Sequence, residues 1–198
     1  MPRRYIREPA IELRCSRIHG LGVFAVQPFR HHQSFGLALE LGYQKRLVPW
    51  SHVDGCSTIL REKIYSFCFG TPDGFVPPPY SDFERLTVAC YMNHSCDGNV
   101  GFSRTGKFIA IRPITAGEEL VYDYALAEGN PDFQIIECRC GSSVCRGVVT
   151  GHDWRQLSPR MTQYILPTIR QLVLQCKRRY GRVWHRPSSD RKNRSRVE

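Results

Sequence analysis

The sequence predicts a mainly β domain, followed by a cysteine-clustered segment and a C-terminal helix. Three observations predict it. Short apolar runs broken by glycine and proline turns occupy most of residues 11–124. Three cysteines then fall within eight residues, Cys138, Cys140 and Cys145. After them the apolar period changes from two to three or four.

The composition fits a globular protein. Of 198 residues, 41% are hydrophobic and 23% charged. No apolar run is long enough to span a bilayer, and no apolar h-region follows Met1-Pro2-Arg3-Arg4. The chain therefore reads as intracellular, nuclear in a eukaryote and cytoplasmic otherwise. Nine cysteines, an odd number, then point to free thiols and metal rather than a disulfide framework. The net charge of +10 is uneven: residues 177–198 hold nine Lys or Arg against Asp190 and Glu198. Such a stretch reads either as a solvated, disordered tail or as a contact for nucleic acid or an acidic partner.

Taken in order, residues 11–35 read as two or three short strands broken by Gly20 and Gly22. Residues 48–86 read as an irregular insertion, with a helix near residues 57–64 and turns at Thr71-Pro72-Asp73-Gly74 and Pro77-Pro78-Pro79. Residues 102–114 alternate as a hairpin turning at Thr105-Gly106, and residues 119–124 read as a second hairpin arm. Met161, Ile165, Ile169, Leu172 and Cys176 form one apolar helical stripe. Ser158-Pro159 can start that helix and Gly181 can stop it, while Pro167 marks either a kink or a later start.

Four segments carry chemistry. Thiolates at Cys138, Cys140 and Cys145 can occupy three corners of a tetrahedral zinc site, the fourth ligand coming from elsewhere. Such a zinc would be structural. Asn93-His94 is dense in donors and acceptors and could fix a polar cofactor, though such a pair taken alone is more often a satisfied loop or core pair. Gly20-Leu21-Gly22 lets backbone approach a ligand closely or simply turns the chain. In Gly117-Glu118-Glu119-Leu120-Val121-Tyr122-Asp123-Tyr124, Tyr122 and Tyr124 share one face of a strand, where they line a pocket or stack in a core.

In this order, the Gly-x-Gly strand, the Asn-His-Ser-Cys loop, the Tyr-Asp-Tyr strand and the Cys-x-Cys-x4-Cys cluster resemble the SET-domain family of protein-lysine methyltransferases with a post-SET zinc segment. The resemblance covers residues 11–147, and Thr150-Gly151-His152-Asp153-Trp154 is similar to small stand-alone members. It implies small curved sheets in which the Tyr124 strand threads under a loop, an exception to unknotted connections. It implies S-adenosylmethionine as cofactor, bound by Gly20, Leu21, Gly22, Asn93, His94 and Tyr124. Tyr124 would be catalytic, with Tyr122 beside it limiting the product to mono- or dimethyllysine. Cys96 would complete the zinc site with Cys138, Cys140 and Cys145. The implied substrate is a lysine on a histone tail or another protein. The sequence departs from the family at Cys90, where arginine is usual before Tyr91, and in residues 35–42, which lack an acidic-aromatic signature. No cysteine-rich module precedes the domain.

The implied boundaries are a SET domain at 9–127, a zinc segment at 134–150, a helical segment at 153–181 and a basic tail at 182–198. In the implied reaction a lysine amine attacks a sulfonium methyl. Deprotonating that lysine at pH 7 costs roughly 4.6 kcal/mol. An apolar channel and a nearby cationic sulfur would lower this, and the sequence offers no evident general base. A catalytically silent SET-fold binding module and a zinc-bearing nucleic-acid-binding protein are the other two readings.

Overall fold

The computed structural model describes residues 9–38, 47–77, 83–84, 86–167, 169–171 and 174. The basic tail, Pro78, Pro79, Leu172, Cys176 and Gly181 lie outside them. Small antiparallel sheets and few helices make up the described chain, as the sequence predicts. No described helix is long and apolar enough to cross a membrane.

The first sheet joins β1 (Ile11–Cys15), β2 (Leu21–Ala25) and β9 (Glu119–Leu120), with β2 in the centre. Gly20, at φ +48°, makes the turn between β1 and β2. Gly22 does not break a strand; it sits inside β2, opposite Arg14. The reason is space. A Cβ at Gly22 would come within 2.3 Å of the Glu119 carboxylate on the neighbouring strand.

The second sheet orders β3 (Ser34–Ala38), β8 (Lys107–Ala110) and β7 (Val100–Phe102). β7 and β8 form the predicted hairpin, with Gly106 at φ +77° in its turn. Phe102 and Phe108 face inward here, fully buried.

The insertion forms its own unit. β4 (Val48–Pro49), β5 (Phe69–Thr71) and β6 (Gly74–Val76) pair as a third sheet beside α1 (Trp50–Asp54) and α2 (Thr58–Phe67). Ser57 caps α2, its side chain accepting from the Leu60 amide. Val53, Ile64, Cys68 and Phe75 make a small core separate from the main one.

Residues 119–124 differ from the expected hairpin arm. Only Glu119 and Leu120 are strand, and they pair with β2. Beyond them the chain crosses the loop 93–100. The Tyr122 amide donates to Asn93 O, Tyr122 O accepts from Ser95 N, and Val121 O accepts from the amides of Asn99 and Val100. Gly98 permits this, since a Cβ there would lie 2.7 Å from Tyr122 Cα. Tyr124 then opens a 3-10 turn, Tyr124–Leu126, whose N-cap is Asp123. Long-range hydrogen bonds to the loop thus replace the local pairing that alternation suggested.

A short fourth pair, β10 (Gln134–Ile135) with β11 (Val149–Thr150), closes the cysteine segment. The C-terminal helix begins at Pro167, the later of its two predicted starts. Ser158 leads only into turns, including the 3-10 turn Thr162–Tyr164. Ile165 and Ile169 are each 1% exposed, so the stripe is core packing where it is described.

Candidate functional site

Three distant segments meet beside β2. The Asn93 side-chain amide donates to His19 O at 3.1 Å, Leu21 O at 3.0 Å and Glu119 Oε1 at 2.9 Å. It therefore ties the Gly20–Gly22 turn to the Asn-His loop. Gly20 has open space where a Cβ would be, and Leu21 is 44% exposed. The result is an accessible shelf of backbone polar groups beside apolar surface, which suits a ligand with a polar amino-acid end and an apolar body.

His94 is buried, and both ring nitrogens have protein partners. Nδ1 accepts from the Tyr124 amide at 3.1 Å, so the ring proton sits on Nε2, 3.3 Å from Cys96 Sγ. Burial holds its pKa down at about 4, the Asp123 carboxylate opposing and Arg146 assisting. A neutral His94 thus links the Tyr124 backbone to the cysteine cluster.

The cluster itself brings Cys96, Cys138, Cys140 and Cys145 together, with all four sulfurs within 4.8 Å of one another. Cys96 and Cys138 are 4.0 Å apart. A tetrahedron of zinc–sulfur bonds of about 2.3 Å needs sulfurs about 3.8 Å apart, so the donor set fits zinc. Backbone amides of Arg146 and Gly147 point at Cys96 Sγ and Cys145 Sγ, both at 3.4 Å, as thiolates favour.

Arg146 clamps this cluster to the Tyr124 segment. Its guanidinium donates to both oxygens of Asp123 at 2.7 Å, and its Nε lies 2.8 Å from Asp153 Oδ2. Burial opposes the charge on Arg146, but hydrogen bonds and the field of Asp123 outweigh it and raise its pKa. Thr150 donates to Asp153 Oδ1 at 2.7 Å, which extends the network into the segment after the cysteines. In the sequence Asp123 and Asp153 were read only as members of their motifs, and Arg146 was given no role. The one sequence signal was an arginine directly following Cys145.

Beside Tyr124 lies a cavity of about 80 Å³, lined by Met92, Cys90, Tyr122, Tyr124, Glu128 and Phe133 among others. Tyr122 and Tyr124 pack with ring centroids 4.9 Å apart and planes tilted by 40°. Tyr122 is 7% exposed and also packs against Phe102 and Phe108. Tyr124 is partly exposed, and its hydroxyl donates to Met92 O at 3.1 Å. Burial and the nearby Glu128 carboxylate raise its pKa, so the hydroxyl keeps its proton and serves as a donor. Glu128 also escaped the sequence reading. An acid directly after the apolar run Ala125-Leu126-Ala127 was the available clue.

The SET domain family model matches residues 20–125. Histone-lysine N-methyltransferase ash1 of Drosophila melanogaster is 34% identical over 108 residues, 50% of this chain and 5% of the relative. Histone-lysine N-methyltransferase TRX1 of Oryza sativa subsp. japonica is 32% identical over 149 residues, 68% of this chain and 13% of the relative. Methyltransferase flvH of Aspergillus flavus is 26% identical over 98 residues, 48% of this chain and 54% of the relative. The chain thus spans less than two thirds of the length of each of these relatives. The family match covers more than half of this chain, from the Gly20 turn through the loop and strand that meet at Tyr124: the chain belongs to the SET-domain family.

Proposed function

We propose that this chain is an S-adenosylmethionine-dependent protein-lysine methyltransferase, acting on a histone tail or another protein and adding one or two methyl groups. One observation carries the reading: the Gly20 turn, the Asn93-His94 loop and Tyr124 converge between an open shelf and an aromatic cavity. When bound, S-adenosylmethionine supplies a methyl group on a cationic sulfur. The backbone of Gly20, Leu21 and Gly22 holds it on the shelf, with Asn93, His94 and Tyr124. His94 contributes through its backbone, its ring nitrogens being occupied. The Tyr124 hydroxyl, kept protonated, orients the substrate amine, and the adjacent Tyr122 ring narrows the space around it. The residues between 134 and 150 form a post-SET segment holding one structural zinc on Cys96, Cys138, Cys140 and Cys145. The ion pairs of Arg146 seat that segment against the Tyr124 turn. Retention of Tyr124, Asn93 and His94 supports an enzyme over a silent binding module. A nuclear location follows if the source is eukaryotic, where the basic stretch 177–198 adds attraction to nucleic acid.

Transfer of labelled methyl groups to core histones tests the activity. Tyr124→Phe removes one hydroxyl; it should cut turnover at least a hundredfold and move the melting temperature by only a few degrees. Near-parental turnover would remove Tyr124 from the mechanism. Metal analysis of the purified protein should find about one zinc per chain. A folded, active, metal-free preparation would sink the zinc assignment.

A further inference from the structure

Glu128 is a buried acid that none of the roles above uses. It is 9% exposed and follows Tyr124 by four residues. Its Oε1 accepts from the Asn130 amide at 2.6 Å and its Oε2 from the Gly70 amide at 3.3 Å. Gly70 makes this cradle possible, because a Cβ there would come within 2.1 Å of Oε1 and 2.3 Å of Asn130 Cβ. The carboxyl group is therefore held by backbone from two distant parts of the chain.

That held carboxyl lines the same cavity as Tyr122 and Tyr124. The other titratable side chains lining it are Tyr65, Cys68 and Cys90, so no lysine, arginine or histidine faces Glu128 among the described lining residues. Burial lifts the Cys68 thiol to about 12, with Cys90 adding to the effect, so Cys68 stays neutral. Burial also lifts Glu128 to about 7, against the lowering effect of its amide donors. A buried carboxylate without a cation is costly, and a cation brought in from outside relieves that cost. The group's proton affinity near neutrality suits it to exchange a proton with that cation at working pH.

We propose that the Glu128 carboxylate is the general base of the reaction, taking the proton of the substrate ammonium in the Tyr122–Tyr124 cavity. The proposal rests on the methyltransferase reading. An N–H bond breaks and an O–H bond forms on Glu128, leaving the electron pair on nitrogen. That pair makes the new N–C bond as the carbon–sulfur bond breaks, its electrons passing to sulfur to leave a neutral thioether. The product keeps one positive charge as a methylammonium, and Glu128 returns its proton to solvent. Each turnover releases one proton, and the same carboxylate serves a second methylation.

Without this base the amine must arrive already neutral, a form that is about 0.1% of lysine at pH 7.5. Labelled-methyl transfer to core histones should then separate Glu128→Gln from the parent by pH. The parent rate should level off above about pH 7. The variant should fall about a hundredfold at pH 7 and climb close to tenfold per unit up to pH 9. Glu128→Asp, which keeps the carboxylate, should recover part of the rate. A variant with the parent's profile, or with a loss equal at every pH, overturns the proposal. Carbon-13 NMR of the Glu128 carboxyl supplies a test independent of turnover, with n-butylammonium as probe and n-butanol as control. Its titration midpoint should drop with butylammonium and stay put with butanol; an unmoved midpoint overturns the assignment. A parent that leaves histones unmethylated speaks against the histone substrate alone, and the NMR result still decides the role of Glu128.

Discussion

Asp123 and Glu128 lie five residues apart, both buried, and meet opposite surroundings. Asp123 has a cation of its own in Arg146, bonded through both oxygens, and it caps a 3-10 turn by accepting from the Ala125 amide. Among the described residues, Glu128 is met by uncharged donors, the amides of Gly70, Gly129 and Asn130. The same chemical group thus becomes a clamp at one position and a reactive site at the other. A charge with a partner inside the fold holds the chain together. A charge without one is poised for a partner from outside.

Breaking the clamp should have the largest effect on stability. Asp123→Ala leaves the Arg146 guanidinium partly buried with one carboxylate fewer, which should cost about 3 kcal/mol in urea unfolding. A loss below about 1 kcal/mol would mean that Asp153 alone suffices to hold Arg146.

Glu128 should behave in the opposite sense. Its pKa in the fold, about 7, lies above the ordinary value of 4.5, so the fold favours the protonated acid. The stability this contributes is full below about pH 4.5 and lost as pH rises through about 7. Glu128→Gln cannot ionise, whatever constant offset its changed hydrogen bonds bring. The difference in unfolding free energy should therefore shift in favour of the variant by up to about 3 kcal/mol between pH 5 and 8.5. A difference that does not change with pH would show that Glu128 is ordinary in its proton affinity.

The smallest effect belongs to Tyr122, on the cavity wall directly before Asp123 in sequence. If its hydroxyl restricts rotation of a methylated nitrogen, Tyr122→Phe should move products upward in methylation state by several-fold, worth about 1 kcal/mol. Mass spectrometry of methylated histone decides it, and trimethyllysine dominating in the parent would show that Tyr122 sets no such limit.

Much of the fold was legible where local spacing decides it. The hairpin at Gly106 and the helix capped by Ser57 follow from turn and cap chemistry acting within a few residues. Residues 121–124 were misread because alternation suggested a local partner, whereas loop 93–100 supplies the hydrogen bonds. The helix at Pro167 was ambiguous between two prolines, since both satisfy the rules for a first turn.

The donor types and their order were legible in the chain: Gly-x-Gly, Asn-His, Tyr-Asp-Tyr and three clustered cysteines, enough to name a family and to expect a metal. Which of these groups remain available depends on how the chain folds. The fold brought Cys96 to Cys138 across 42 residues, and it spent both ring nitrogens of His94 on protein contacts. It also buried Glu128 beneath an amide 58 residues away, at a glycine whose missing side chain makes the room. Proton affinity depends on what surrounds a group in space, and those neighbours came from chain segments that no local pattern connects.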